Sequence, residues 1–126
     1  MMIIVSGCGK KGEMIPNVYV EYNVTVQEFN IKAVNRVLLI PNQGVKGLMI
    51  VHTIDNGFVA FDRCSSVDPK NGCAVSPDDS GITATDPCTG AKYLLTDGSP
   101  QKAPAVRNLK AYTTTLRGGQ TINVSN

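Results

Sequence analysis

Between Val18 and Gln27 the chain alternates: Val18, Val20, Tyr22, Val24 and Val26 fall on one side, and Tyr19, Glu21, Asn23, Thr25 and Gln27 on the other. Successive side chains of an extended strand point to opposite faces, so a period of two predicts a strand buried on one face. A chain built this way closes its core by pairing strand with strand, and the rest of the sequence keeps to the pattern. Arg36 to Ile40 is an apolar run stopped by Pro41, and Leu48 to Ile54 is another. Asn56-Gly57 separates that run from Phe58 to Phe61. An Asn-Gly pair between apolar flanks signals a hairpin, because both residues tolerate positive φ. Further on, Lys92 to Leu95 leads into Asp97-Gly98, and Leu109 to Leu116 is joined to Gln120 to Val124 through Gly118-Gly119. No segment has a convincing helical period. The reading is an all-β domain of about nine or ten short strands.

With 126 residues the chain has material for one domain. Its net charge is +2 and its basic residues are scattered, whereas a nucleic-acid surface concentrates them in a stripe. No apolar run approaches the roughly 18 residues needed to span a bilayer as a helix.

The cysteines divide into two kinds. Cys8 stands alone near the start, while Cys64, Cys73 and Cys88 fall in or beside a stretch, 62 to 91, dominated by Asp, Pro, Ser and Gly. That stretch reads as a loop-rich insertion closed on itself by its cysteines. Three thiols allow one bridge and one free thiol, or three ligands of a metal site.

The opening MMIIVSGCGKKGEMIP carries an apolar run that ends in Ser6-Gly7-Cys8. Small residues before a cysteine, after an apolar run, resemble the lipobox of bacterial lipoproteins, in which the cysteine is acylated and anchors the chain to a membrane surface. The apolar run is short and carries no charge ahead of it, so the start reads as the remnant of a longer signal segment. Residues 1–16 are therefore expected to be lipobox and tether, with Cys8 the lipid-attachment site and Gly9 to Glu13 a polar spacer. Residues 17–126 form the β domain, with a loop subdomain at about 62–93.

Three pieces in order, GLMIVHTIDNGFVAFDRC, DPCTGAKYLLTDGSP and LKAYTTTLRGGQTINVSN, resemble a Rieske domain. The similarity is best over 40–126 and looser over 18–40. It lies nearest to a group from Bacteroidetes-type bacteria whose members are often lipoproteins, in keeping with Cys8. The resemblance implies an antiparallel β-sandwich base and a smaller subdomain made of two loops. In the family those loops carry the forms C-x-H and C-P-x-H-G or C-P-C-H-G and hold a [2Fe–2S] cluster through two thiolates and two imidazoles. Here Cys64 matches the first-loop cysteine, but Ser65-Ser66 follows where the histidine belongs. In the second loop Asp86 stands at the ligand cysteine, Thr89 at the ligand histidine, and Pro87, Gly90, Tyr93 and Asp97-Gly98 keep the turn pattern. Cys73 and Cys88 match the pair that forms a disulfide in some members, with Cys64 the alternative partner of Cys88 and a local Cys64–Cys73 bridge a further one. Closing a loop of about fifteen residues contributes roughly 3 kcal/mol in the chain-entropy picture.

The sole histidine, His52, lies within an apolar strand, so the imidazoles are missing. A carboxylate is a poor partner for an iron–sulfur centre. The expectation is a domain with no cofactor, no metal and no catalytic residues: a non-catalytic envelope lipoprotein with a structural or binding role. It would face the periplasm or cell surface, and its protein or small-molecule partner is unknown. Two other readings stand beside it. One is a [2Fe–2S] electron-transfer protein with atypical ligands; the other is a zinc site built from the three loop thiols and Asp86. Tyr93 and Tyr112 read as packing residues, and Asp78-Asp79 as a solvated loop rather than a calcium site.

Overall fold

The structure is a computed structural model that describes residues 14–126. Cys8 and the Gly9 to Glu13 spacer lie outside the described residues. The strands are β1 (Glu21–Thr25), β2 (Val37–Ile40), β3 (Leu48–His52), β4 (Phe58–Asp62), β5 (Ser76–Pro77), β6 (Thr83–Thr85), β7 (Lys92–Leu94), β8 (Pro100–Lys102), β9 (Ala111–Arg117) and β10 (Thr121–Ser125). They form a six-stranded sheet in the order β1-β10-β9-β4-β3-β2 and a four-stranded sheet in the order β5-β6-β7-β8, with antiparallel pairing throughout.

β3 explains how the two sheets fit together. Its Leu48, Met49, Ile50 and Val51 are all buried, although neighbouring residues on a strand face opposite ways. Leu48 and Ile50 join a cluster with Val20, Val24, Leu38, Ile122 and Val124. Met49 and Val51 join another with Phe61, Val75, Tyr93, Leu95 and Leu109. The first cluster draws on strands from both halves of the large sheet, so that sheet curls until its halves face each other. The second seals the small sheet against the outside of β3 and β4. This all-β architecture agrees with the sequence reading.

The alternation that begins at Val18 forms a ladder only from Glu21, where β1 pairs with β10. Ahead of it the Asn126 side chain takes over the role of a strand. Its Nδ2 donates to the Val18 carbonyl at 2.6 Å, and its Oδ1 accepts from the Val20 N–H at 3.1 Å.

At the other end the expectation fails, because Val26–Lys32 is an α-helix, α1. Thr25 is its N-cap, and the Thr25 hydroxyl accepts from the Glu28 N–H at 3.0 Å. Thr25-x-x-Glu28 is the sequence form of a capping box, and Lys32 then pairs with Glu28 one turn on, at 2.8 Å. α1 turns Phe29 into the curled sheet, where its ring meets Phe58 edge-on at 5.2 Å. The strand periodicity continued into Val26, but local capping decided the backbone.

The Asn56-Gly57 turn is also longer than a two-residue hairpin. The Thr53 N–H donates to the Gly57 carbonyl at 2.8 Å, and the Asn56 N–H to the Thr53 carbonyl at 3.0 Å. Of the pair, Asn56 alone takes positive φ, at 68°. The Thr53 hydroxyl bonds to the Gly57 N–H and to Asp55, which stabilises this three-residue form. At Gly118-Gly119 both residues do adopt positive φ, 60° and 69°. There the Gln120 N–H closes on the Arg117 carbonyl at 3.0 Å over the two glycines, and Thr121 then pairs with Arg117.

Replacing Thr25 by Ala removes the acceptor at the N-terminus of α1, whereas Ser keeps it. The expected outcome is a loss of about 1 kcal/mol in urea unfolding for Thr25→Ala, and at most a few tenths for Thr25→Ser.

Candidate functional site: two facing loops

The first loop is a hairpin hung on the end of β4. Val75 N–H donates to the Arg63 carbonyl at 2.7 Å, Cys64 and Ala74 form an antiparallel bridge, and Ser65 N–H reaches the Cys73 carbonyl at 3.4 Å. Its tip turns at Asp68, whose carbonyl accepts from the Gly72 N–H at 2.7 Å. Asp62 fixes the base. Its fully buried carboxylate accepts from the N–H groups of Val45 (2.7 Å), Lys46 (3.0 Å) and Cys64 (2.9 Å) and from the Tyr112 hydroxyl (2.7 Å). Burial, and donation to that carboxylate, hold the Tyr112 phenol well above its ordinary pKa.

The second loop joins β6 to β7. Asp86 N–H donates to the Ala91 carbonyl at 2.8 Å, and Gly90 N–H to the Asp86 carbonyl at 2.8 Å, with Gly90 at φ 81°. The Asp86 side chain turns back on its own loop and accepts from the Cys88 N–H at 2.8 Å. This Asx turn is what Asp does well in a tight loop, and it accounts for the Asp at a position the resemblance gives to a ligand.

A disulfide, Cys73–Cys88, joins the two loops with Cα atoms 6.0 Å apart. Cys64 is the free thiol among the described cysteines and is buried. Burial, reinforced by the Asp62 charge and only partly offset by Lys46, pushes its pKa up to about 11. Its Sγ donates weakly to the Pro69 carbonyl at 3.5 Å.

Between the loops lies a hydroxyl–carboxylate network. Ser65 Oγ donates to Asp86 Oδ2 at 2.7 Å and lies 3.1 Å from the Tyr93 hydroxyl. The same hydroxyl contacts Ser66 Oγ at 2.9 Å and accepts from the Ser66 N–H at 3.2 Å, while Ser66 Oγ donates to the Arg107 carbonyl at 2.8 Å. Asp86, Ser65 and the Tyr93 ring are all buried. Thr89 is exposed at the loop tip. Where the resemblance places cluster ligands, the chain thus presents Cys64, Ser66, Asp86 and Thr89: one thiol and no imidazole. His52 is at the opposite end of the β3–β4 ladder, opposite Phe58, whereas Leu48 opposes Asp62 beside the loops. There it stacks on Phe58, ring centroids 4.7 Å apart. This donor set does not fit a [2Fe–2S] centre of two thiolates and two imidazoles.

Asp86, Cys73 and Cys88 bring their ligand atoms within 4.8 Å of one another, a group that Cys64 does not join. Asp78 is occupied by Thr83 (2.6 Å), Thr85 (2.8 Å) and Lys92 (3.0 Å). Burial alone would raise its pKa, but those three partners prevail and lower it. Tyr112 packs in the core of the large sheet. Tyr93 packs as read from sequence, but its hydroxyl is also the hub of the network. The Asp62 anchor has no local sequence signal, and the Ser65–Tyr93 link is signalled only by Ser65-Ser66 standing where the resemblance expects a histidine. A cleft of about 480 Å³ opens beside the first loop, lined in part by Ile15, Ser66, Pro69, Arg107, Leu109 and Lys110.

No protein-family model matches the chain, and no curated protein matches it in sequence. Solved structures do. The plasma membrane Rieske protein of the cyanobacterium Synechocystis PCC 6803 superposes with a TM-score of 0.60 at 24% identity, over 87% of this chain and 99% of that one. The ferredoxin of carbazole 1,9a-dioxygenase from Nocardioides aromaticivorans IC177 gives 0.54 at 17% identity, over 85% and 94%. The chain has the Rieske fold.

Two outcomes follow. Cys64 is fully buried and its pKa is raised, so iodoacetamide should leave it unmodified in the folded protein at pH 8 and label it in denaturant, read by peptide mass. Tyr93→Phe strips the partner from Ser66 N–H and lowers unfolding stability by about 1–3 kcal/mol.

Proposed function

We propose that this Rieske-fold chain is a non-catalytic lipoprotein of the cell envelope whose loops hold no cluster and act as a structural or binding surface. The observation that supports it most is the network between the loops. Ser65, Ser66, Asp86 and Tyr93 bond to one another, and two of them, Ser66 and Asp86, stand at positions the resemblance gives to cluster ligands. Buried polar groups that are already paired give up those bonds only at a cost, so the arrangement favours a closed loop pair over an open ligand cage. The Cys73–Cys88 bridge supplies the covalent link between the loops. Among the described residues no hydroxyl or thiol is paired with an imidazole: His52 sits in an aromatic stack, the Cys64 thiol is shut in with its pKa raised, and the Ser65 hydroxyl beside Asp86 is buried. The cleft beside Ser66 is the natural place for a small-molecule or peptide contact.

Attachment through Cys8 accords with the absence, among the described residues, of any helix long and apolar enough to cross a membrane. A lipid anchor with a polar spacer would present the domain at the membrane without a spanning segment.

The competing reading is an electron carrier with Cys64 and Asp86 among atypical ligands. It draws on the likeness to a Rieske protein and a ferredoxin. Anaerobic purification separates the two. The proposal expects a colourless protein with no stoichiometric iron, and a visible iron–sulfur band with matching iron would overturn it. For the anchor, Cys8→Ala should release the chain from the membrane fraction and abolish palmitate labelling.

A further inference from the structure

Cys73, Cys88 and Asp86 come from two separate hairpins yet converge at one point, their sulfurs and carboxylate within 4.8 Å of one another. The carboxylate is aimed and buried. It accepts from Ser65 Oγ at 2.7 Å and from Cys88 N–H at 2.8 Å, both neutral donors. A carboxylate offers about four lone-pair positions, so these two bonds leave it able to accept more. Cys88 is exposed, and the bridge is therefore open to a soluble reductant. Once the S–S bond is broken, the site holds two soft sulfur donors and one hard oxygen donor at the mouth of the loop pair. That is a donor set zinc accepts. Zinc–ligand distances of about 2.0–2.3 Å put tetrahedral ligand atoms about 3.5–3.8 Å apart, inside the 4.8 Å that bounds the three donors, with the two sulfurs parting once their bond is broken.

We propose that reduction of the Cys73–Cys88 bridge creates a site for a thiophilic divalent cation, held by Cys73 Sγ, Cys88 Sγ and a carboxylate oxygen of Asp86, with water in the remaining position. The reductant is a dithiol. Its two thiols lose two electrons and close to a disulfide, and the Cys73–Cys88 bond takes those electrons and a proton on each sulfur. Binding of the cation then releases both protons, since thiolates are the ligands. The loops are stapled in either redox state, by sulfur–sulfur in one and by metal in the other. Of the positions the resemblance gives to cluster ligands, only Asp86 takes part. The inference rests on the reading that the loops hold no cluster; iron content tests that premise, and zinc content of the reduced chain tests the inference.

The experiment uses the full chain with Cys8→Ser, oxidised or dithiol-reduced and freed of reductant without air, then titrated with zinc against a chromophoric chelator. The expected result is one zinc per reduced chain and none per oxidised chain. Cys64→Ala leaves that binding unchanged, and Asp86→Asn weakens it by more than about tenfold. The oxidised form of each variant is first shown to be folded. The proposal is overturned if the folded, reduced chain takes up no zinc, if Asp86→Asn binds as tightly as the parent, or if Cys64→Ala abolishes uptake.

Discussion

Four consecutive apolar side chains of β3 are buried, and because they alternate, one strand serves two cores. Leu48 and Ile50 close the curled sheet, while Met49 and Val51 carry the small sheet. Full burial of each such side chain is worth roughly 1.5–3 kcal/mol, so neither layer can move without the other losing contact. The register of β3 with β4 sets Asp62 opposite Leu48, and Asp62 holds the start of the first loop through the Cys64 N–H. The small sheet carries the second loop between β6 and β7. The shared strand thereby decides that the two loops face each other at all.

Once opposed, the loops are joined by three kinds of link that differ in character. The disulfide is covalent and lies at the exposed rim. The Ser65–Asp86 hydrogen bond is buried and carries a carboxylate, which makes it stronger than a neutral pair. The Tyr93 hydroxyl reaches up from the floor of the small sheet to both serines. Covalent closure limits how far the loops can part, and the polar network fixes how they lie.

Most of the β architecture was legible because alternation and turn residues act locally. Gly118-Gly119 needs positive φ at both residues and has it; the apolar run of β3 is as buried as its composition suggests. What escaped was decided by competition or by distance. At Val26 a strand pattern met a capping box, and the cap prevailed: Thr25 Oγ1 accepts the Glu28 N–H, a donor that the first turn of a helix otherwise leaves unpaired. At Asn56 a side chain, Thr53 Oγ1, selected the longer turn. The Ser65–Tyr93 contact spans twenty-eight positions of sequence. No local pattern marks such a pair, although Ser65-Ser66, standing where the resemblance expects a histidine, showed where to look.

The Asx turn at Asp86 has a consequence for anyone who would build an iron–sulfur centre between these loops. Placing an imidazole at Thr89 changes a side chain that faces solvent, whereas one at Ser66 displaces a hydroxyl bonded to Tyr93 and to the Arg107 carbonyl. Exchanging Asp86 for a thiol is different, because the same carboxylate both shapes its own loop and receives the Ser65 hydroxyl from the other. Sulfur is a weak acceptor, so each of those donors would lose most of its bond. Installing a cluster of two thiolates and two imidazoles would thus be an architectural revision rather than a refitting of side chains, with its largest cost at Asp86.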